Sequence, residues 1–116
     1  MISPGSATRI FLAAGATDMR RGFDGLSELV RDRLQGDALS GHWYISCNRR
    51  RTRIKVLYFD GSGLWLCTKK LGRGAFSWPD LDSSAVIQLT AEELALLVGG
   101  IELERARNKD WWRKAV

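Results

Sequence analysis

Residues 42–70 have the sequence HWYISCNRRRTRIKVLYFDGSGLWLCTKK, and this stretch decides the fold. It holds three short runs rich in Val, Ile, Leu, Trp, Tyr and Phe. A polar, Arg-rich break at 48–52 separates the first two runs, and Asp60-Gly61-Ser62-Gly63 separates the last two. Such runs between turn-forming clusters are typical of strands joined by hairpins, and an Asp-Gly pair tolerates the positive φ of a tight turn. The sequence therefore predicts an antiparallel meander of strands at 42–47, 54–59 and 64–68.

The lengths of the two breaks predict a register for this meander. If residues 60–63 form the second turn, Phe59 faces Leu64 and Arg53 faces Lys70. If the first loop spans 49–52, Cys47 faces Ile54. Side chains alternate across a strand, so a core face collects Trp43, Ile45, Cys47, Ile54, Val56, Tyr58, Trp65 and Cys67. The opposite face is apolar toward Asp60, with Leu57, Phe59, Leu64 and Leu66, and basic toward the Arg-rich loop.

Positive charge is concentrated in the same part of the chain. The whole protein has 116 residues and a net charge of +5. Residues 42–76 contain eight Lys or Arg and one acid, so this segment carries +7 and the rest of the chain −2. In the predicted register the third strand ends beside the Arg-rich loop, which brings cations that are distant in sequence to one end of the sheet.

A cluster of this kind is typical of a surface that binds a polyanion, because guanidinium groups match phosphate oxygens. The predicted nucleic-acid-binding residues are Arg49, Arg50, Arg51, Arg53, Lys55, Lys69, Lys70 and Arg73. Nearby aromatic rings offer stacking faces for bases, and Tyr44, Trp78, Trp111 and Trp112 are the candidates. The alternative interpretation is a solvated, Arg-rich hairpin tip, or a sheet edge that charge protects from pairing.

The segments on either side of the meander predict further strands and two helices. Residues 9–14 form a candidate strand, and Thr17 or Asp18 is suited to cap a helix from about Met19 to Gln35. The helical stripe contains Met19, Phe23, Leu26, Val30 and Leu34. After the meander, 85–89 is a candidate strand. Thr90 and Glu93 form a capping-box pattern before a short helix over Ala91–Val98.

At this length the chain is one domain, 1–116, with a core at about 7–100 and a tail at 101–116. The tail is expected to be a short helix or a mobile arm. The predicted fold class is α+β, with an antiparallel meander sheet packed against one longer and one short helix. No apolar run is long enough to span a bilayer and no cleavable leader is visible, so the sequence predicts a cytoplasmic protein without membrane association.

The residues give little support for catalysis or metal binding. Metal-dependent nucleases need converging acids, but Asp18 and Asp60 are adequately explained as a cap and a turn residue, and Asp24 lies beside arginines. His42 lacks a nucleophile elbow and an orienting acid, so a structural role at the start of a strand is expected. In this register Cys47 and Cys67 lie diagonally across the middle strand, which is too far apart for a disulfide. Both are therefore expected to be buried free thiols. The sequence predicts no enzyme activity, no metal, no cofactor and no small-molecule substrate.

Several stretches together resemble a known family of accessory proteins. The stretches are TDMRRGFDGL at 17–26, SGH at 40–42, NRRR at 48–51, IKVLYFDG at 54–61, KKL at 69–71 with Gly74 and Phe76, Trp78-Pro79, Leu89-Thr90 with Leu94, and Gly100-Ile101. In this order and spacing, from about 5 to 101, they are similar to TnpB, the product of the second open reading frame of the bacterial insertion-sequence family number sixty-six. The chain departs from the family pattern at Gly72 and Ala75, where the family has Glu and Arg.

The resemblance implies a non-catalytic accessory role in DNA transposition, since a separate and larger protein of these elements looks like the transposase. It implies no binding residues, so the predicted site depends on the charge argument alone. The expected partners are therefore DNA and also the transposase and a sister accessory protein of the same element. The alternative function is a protein–protein adaptor without DNA contact, which would use Leu57, Phe59, Leu64 and Leu66, or Trp111-Trp112. A small nuclease is the third hypothesis, and the lack of clustered acids disfavours it.

Overall fold

The computed structural model describes residues 4–79 and 86–99 and the backbone of 113–114. The strands are β1 (Ile10–Ala13), β2 (Trp43–Cys47), β3 (Arg53–Phe59), β4 (Leu64–Lys70), β5 (Val86–Leu89) and β6 (Arg113–Lys114). The helices are α1 (Phe23–Asp32) and α2 (Ala91–Val98). The strands form one sheet in the order β4-β3-β2-β1-β5-β6. This architecture confirms the predicted α+β class.

The meander has the predicted register. Phe59 pairs with Leu64 and Arg53 with Lys70 across β3 and β4. Cys47 pairs with Ile54 across β2 and β3. The turn between β3 and β4 closes with a hydrogen bond from the Asp60 N–H to the Gly63 carbonyl (3.0 Å). Gly61 in this turn has φ +103°, the conformation for which the Asp-Gly pair was predicted.

The prediction of a wholly antiparallel sheet is wrong at β1. This strand runs parallel to β2, with Ile10 beside Trp43 and Leu12 beside Ile45. On its other side β1 pairs antiparallel with β5. The chain between β1 and β2 contains α1, and a long helical crossover is the usual way to join neighbouring parallel strands. As a consequence, the carboxyl ends of β1 and β2 lie at the same end of the sheet.

Apolar side chains fill both faces of the sheet. The predicted core face packs under α2 and the chain before it, where Phe76, Trp78, Leu94 and Leu97 are buried. The opposite face packs under α1, where Tyr44 and Leu57 are buried against helix residues. Burial on both sides explains why all five residues of β2 are buried. The sheet is thus the central layer between the two helices.

The helix α1 is shorter than predicted. It begins at Phe23 rather than Met19, and its N-cap, Gly22, makes no side-chain cap. Asp18 caps the preceding turn instead, because its carboxylate accepts the Arg20 N–H (2.9 Å). At the other end, Gln35 adopts φ +54° and ends the helical path. The predicted apolar stripe also changes, since Leu29 is buried and Phe23 is 47% exposed.

The second helix has the predicted bounds and the predicted cap. The Glu93 N–H donates to Thr90 Oγ1 (3.1 Å), and the Thr90 N–H donates to Glu93 Oε1 (2.8 Å). In the tail, residues 113–114 pair with β5 as strand β6, so the expected short helix or arm is wrong at these two residues. Trp111-Trp112 lies outside the described residues. Neither described helix has the length and apolar character that a membrane crossing requires.

Candidate nucleic-acid interface

One end of the sheet collects loops from four strands. The carboxyl ends of β1 and β2 lie there because the two strands are parallel. The antiparallel meander brings the start of β3 and the end of β4 to the same place, with Arg53 opposite Lys70. We call this the basic end of the sheet. The opposite end, with the 60–63 turn, we call the Asp60 end.

A single amide side chain organises the loop that carries the arginine run. Asn48 Oδ1 accepts the N–H groups of Thr52 (2.9 Å) and Arg53 (3.1 Å). Asn48 Nδ2 donates to Thr52 Oγ1 (3.1 Å). These bonds close the loop from within, so the side chains of Arg49 and Arg50 are exposed at its tip.

The chain after β4 is fastened to the same loop. The Leu71 N–H donates to the Thr52 carbonyl (2.8 Å), and the Phe76 N–H donates to the Arg51 carbonyl (2.6 Å). Arg73 lies between these two attachment points and is exposed. The attachment therefore keeps Arg73 at the basic end, although more than 20 residues separate it from the arginine run.

Six of the eight predicted binding residues are exposed at this end, and five of these six make no side-chain hydrogen bond or ion pair with another described residue. Within the described residues the ion pairs are Arg20–Asp18 and Arg31–Asp32, and neither involves these five. An exposed, unpaired cation remains available to a phosphate of a partner. The five define the exposed basic cluster: Arg49, Arg50, Arg53, Lys70 and Arg73.

The other three predicted residues bond to the fold. Lys55 Nζ donates to the carbonyls of Met19 (2.7 Å) and Arg21 (2.9 Å), which fixes the chain before α1. Lys69 Nζ donates to the Val98 carbonyl at the end of α2. Arg51 has φ +62°, and its backbone carbonyl accepts the Phe76 N–H (2.6 Å). The structure thus brings all eight residues to one region but leaves only part of the set facing solvent.

Sequence analysis missed the contribution of the linker between β1 and α1. This linker meets the arginine loop, because the Thr17 N–H donates to the Cys47 carbonyl (2.7 Å). An open cleft of about 390 Å³ lies between the two loops and is lined by Ala16, Thr17, Asp18, Asn48, Arg49 and Arg50. The TDMRRG motif carried the signal, but it was interpreted as the start of a helix. Only the parallel pairing of β1 and β2 places it beside Arg49.

The acid in this cleft is neutralised by its neighbour. Arg20 donates Nε and Nη2 to the Asp18 carboxylate, with Nη2 2.7 Å from Oδ2. The hydrogen bonds from the Arg20 side chain and backbone lower the pKa of Asp18 from 3.8 to about 2. Arg20 is almost fully solvent-exposed, at 92% of its side chain. The linker therefore adds an ion pair at the basic end instead of an opposing free charge.

Two aromatic candidates for base stacking are inside the protein. Tyr44 is 5% exposed and stacks on Phe11 under α1. Trp78 is 8% exposed, and its indole N–H donates a hydrogen bond to the Ala13 carbonyl. Leu57, from the proposed adaptor face, is 1% exposed. Tyr44 and Leu57 are buried because α1 covers the face that the meander alone presents to solvent, whereas Trp78 is buried on the core face. Trp65 remains 47% exposed, on edge strand β4.

The residues considered as catalytic candidates are hydrogen-bonded or buried within the fold. Asp60 accepts N–H bonds from Ser62 and Gly63 and the Trp65 indole N–H, and these bonds lower the pKa of its carboxyl far below the usual range. His42 Nδ1 accepts the Arg9 N–H (3.0 Å). Burial raises the pKa of the Cys47 thiol to about 12. In the described part of the chain, no group of three His, Cys, Asp or Glu could hold a metal ion.

Comparison with known proteins agrees with the sequence resemblance. Residues 8–108 match the family described as IS66 Orf2 like protein, TnpB. Two proteins of Sinorhizobium fredii, both named only as uncharacterized, are similar over nearly their whole length. The first, y4jC, is 37% identical over 94% of this chain and 92% of its own. The second, y4hO, is 34% identical over 97% of this chain and 96% of its own.

No solved structure gives a significant match. The family match covers most of the chain, and both relatives are aligned along almost all of it. The chain therefore belongs to the IS66 Orf2-like family, the accessory proteins of IS66 transposition.

Proposed function

We propose that this accessory protein binds the DNA backbone through the exposed basic cluster. The observation that carries the proposal is the convergence of Arg49, Arg50, Arg53, Lys70 and Arg73 at one end of the sheet without acidic partners among the described residues. When such cations neutralise phosphates, the counterions around the DNA are released, and this release favours binding. The residues come from two separate segments, 49–53 and 70–73, so the fold itself brings them together.

The proposed contacts favour phosphates over base edges. The cluster lies on loops and strand ends, and none of its five residues lies in a helix. Arginine forks that contact phosphates position a protein on the backbone, and such contacts carry no sequence information by themselves. We therefore expect affinity for duplex DNA that varies little between an element end and a random sequence.

Salt dependence tests this proposal directly. If the five cations each neutralise one phosphate, the logarithm of affinity should fall with log salt at a slope of roughly −4 to −5 on duplex DNA. The double variant Arg49→Ala/Arg50→Ala should reduce the magnitude of that slope by about 2 and weaken binding at low salt. The measurement is fluorescence anisotropy of a labelled duplex over a salt series.

The matched control is Arg31→Ala. Arg31 is also an exposed arginine, but it lies on α1 in an ion pair with Asp32. This variant should keep the wild-type affinity and slope. Absence of duplex binding by the wild-type protein at low salt, or equal losses in the control and the double variant, would contradict the proposal.

A second candidate function is an adaptor that docks on the transposase. The observation that favours it is Trp65, a large aromatic side chain that is 47% exposed on edge strand β4. An exposed edge strand can pair with another chain. A pull-down with the transposase separates the two functions, because an adaptor contact at Trp65 should survive Arg49→Ala/Arg50→Ala and be lost in Trp65→Ala.

A further inference from the structure

We infer that the cleft between the 14–18 linker and the 48–51 loop is a seat for one phosphate group of the nucleic-acid backbone. This inference rests on the proposed function and names the place where one phosphate is held. The cleft has a volume of about 390 Å³. That volume is large enough for a phosphate group with part of its hydration shell.

The first observation is the buried hydroxyl of Thr17. The residue is 5% exposed and lines the cleft, and its Oγ1 has no hydrogen-bond partner among the described residues. Buried polar atoms in native proteins are nearly always bonded, so this hydroxyl has a hydrogen-bonding capacity that the described residues do not use. A phosphate oxygen in the cleft would accept a hydrogen bond from this hydroxyl.

The second observation is the pair of arginines on the opposite wall. Arg49 and Arg50 line the same cleft, and the Arg guanidinium forms bidentate bonds to phosphate oxygens. Asp18 on the linker side does not oppose an anion with a free charge, because Arg20 occupies its carboxylate through Nε and Nη2. The cleft thus combines a buried hydroxyl donor, two cations and a neutralised acid.

The third observation is that the cleft has rigid walls. The Thr17 N–H bond to the Cys47 carbonyl ties the linker to the end of β2. Asn48 fixes the other wall through its bonds to Thr52 and Arg53. A preformed site loses little conformational entropy when it binds, which favours specific seating of a phosphate over diffuse attraction.

The test compares Thr17→Val with Thr68→Val in duplex-DNA binding. Thr17→Val keeps the shape of the side chain and removes the unpaired hydroxyl, so thermal stability should not fall. Its affinity should drop about tenfold with an unchanged salt slope, because a lost hydroxyl bond to a charged group does not alter the number of neutralised phosphates. Thr68→Val, an exposed threonine on β4, should bind like the wild type.

A parallel titration with inorganic phosphate, followed by amide NMR shifts, identifies the source of the anion. Shifts at residues 16–18 and 48–50 that are lost in Thr17→Val, together with the tenfold DNA effect, would support the inference. Wild-type DNA affinity in Thr17→Val would overturn the phosphate seat and leave the proposed function intact. Phosphate binding in a protein that binds no duplex at low salt would overturn both, since the cleft would then serve a free anion.

Discussion

At the Asp60 end of the sheet, polar side chains bond to the fold, whereas at the basic end the side chains of five cations make no such bonds with the described residues. Asp60 accepts four hydrogen bonds within its own turn and from Trp65, and His42 accepts the Arg9 N–H. Tyr44 Oη, further along the same end, accepts the Asp37 N–H (3.3 Å). At the basic end, by contrast, Asn48 closes the loop through the N–H groups of Thr52 and Arg53, and no described residue bonds to the side chains of Arg49 and Arg50.

This difference distinguishes charged residues that stabilise the fold from charged residues that remain available to a partner. A polar residue that completes a backbone bond is explained by folding, as Lys55 is at the basic end itself. A cation that bonds to no backbone group and repels several like charges nearby destabilises the folded state. Its presence is then better explained by an anionic partner. The substitutions below test this comparison of the two ends of the sheet.

The largest effect on stability should come from Gly36→Ala at the Asp60 end. A Cβ on Gly36 would lie 2.6 Å from Tyr44 Oη and 2.9 Å from its Cε1, and the Tyr44 ring is buried. Overpacking of this kind should lower the free energy of unfolding by about 2–3 kcal/mol. Urea denaturation measures it.

The matched control is Gly72→Ala at the basic end, where an added Cβ meets nothing within 4 Å. That variant should change the free energy of unfolding by no more than about 0.5 kcal/mol. Equal losses in the two variants would mean that the two ends do not differ in packing as described.

A smaller loss is expected for Lys55→Met, the cation that bonds to the fold. The substitution removes the bonds from Nζ to the carbonyls of Met19 and Arg21 and leaves both acceptors without their donor. We expect a loss of about 1–2 kcal/mol in the free energy of unfolding. The DNA affinity of the folded variant should change little.

Lys70→Met provides the opposite pattern, because Lys70 is exposed in the basic cluster. It should leave stability unchanged and weaken DNA binding, with the magnitude of the salt slope reduced by about 1. If Lys55→Met weakens DNA binding more than Lys70→Met does, the division between structural and functional cations is wrong.

The smallest effect should be the pH dependence that Asp60 contributes. Hydrogen bonds from Ser62, Trp65 and Gly63 lower the pKa of the Asp60 carboxyl in the folded protein. A lowered pKa stabilises the fold above the unfolded-state value of about 3.9, and this contribution is lost as the pH falls toward the folded-state pKa. Asp60→Asn should therefore be less stable than wild type at pH 7.

The stability gap between wild type and Asp60→Asn should narrow as the pH falls below about 5. Urea midpoints across that range measure it, and the Trp65 indole N–H resonance reports the bond to Asp60 directly. Asp24→Asn, which changes another exposed carboxylate, is the control and should leave that resonance unmoved. A gap that stays constant down to pH 3 would mean that the Asp60 bonds do not stabilise the turn.

Much of the meander was predictable because its signals are local. The alternation of side chains and the lengths of two breaks fixed which residues pair, down to Arg53 with Lys70. Thr90 and Glu93 likewise define the start of α2 within one turn of helix. The position of the charge was also visible, since eight cations and one acid lie within 42–76.

By itself, then, the sequence determined the strands of the meander, their register, the short helix and the end of the sheet where charge collects. Each of these follows from residues a few positions apart. The tertiary structure alone decided that β1 runs parallel to β2, that α1 starts at Phe23, and which cations face solvent. These depend on contacts such as Lys55 with Met19, 36 residues apart, whose energies no local pattern encodes.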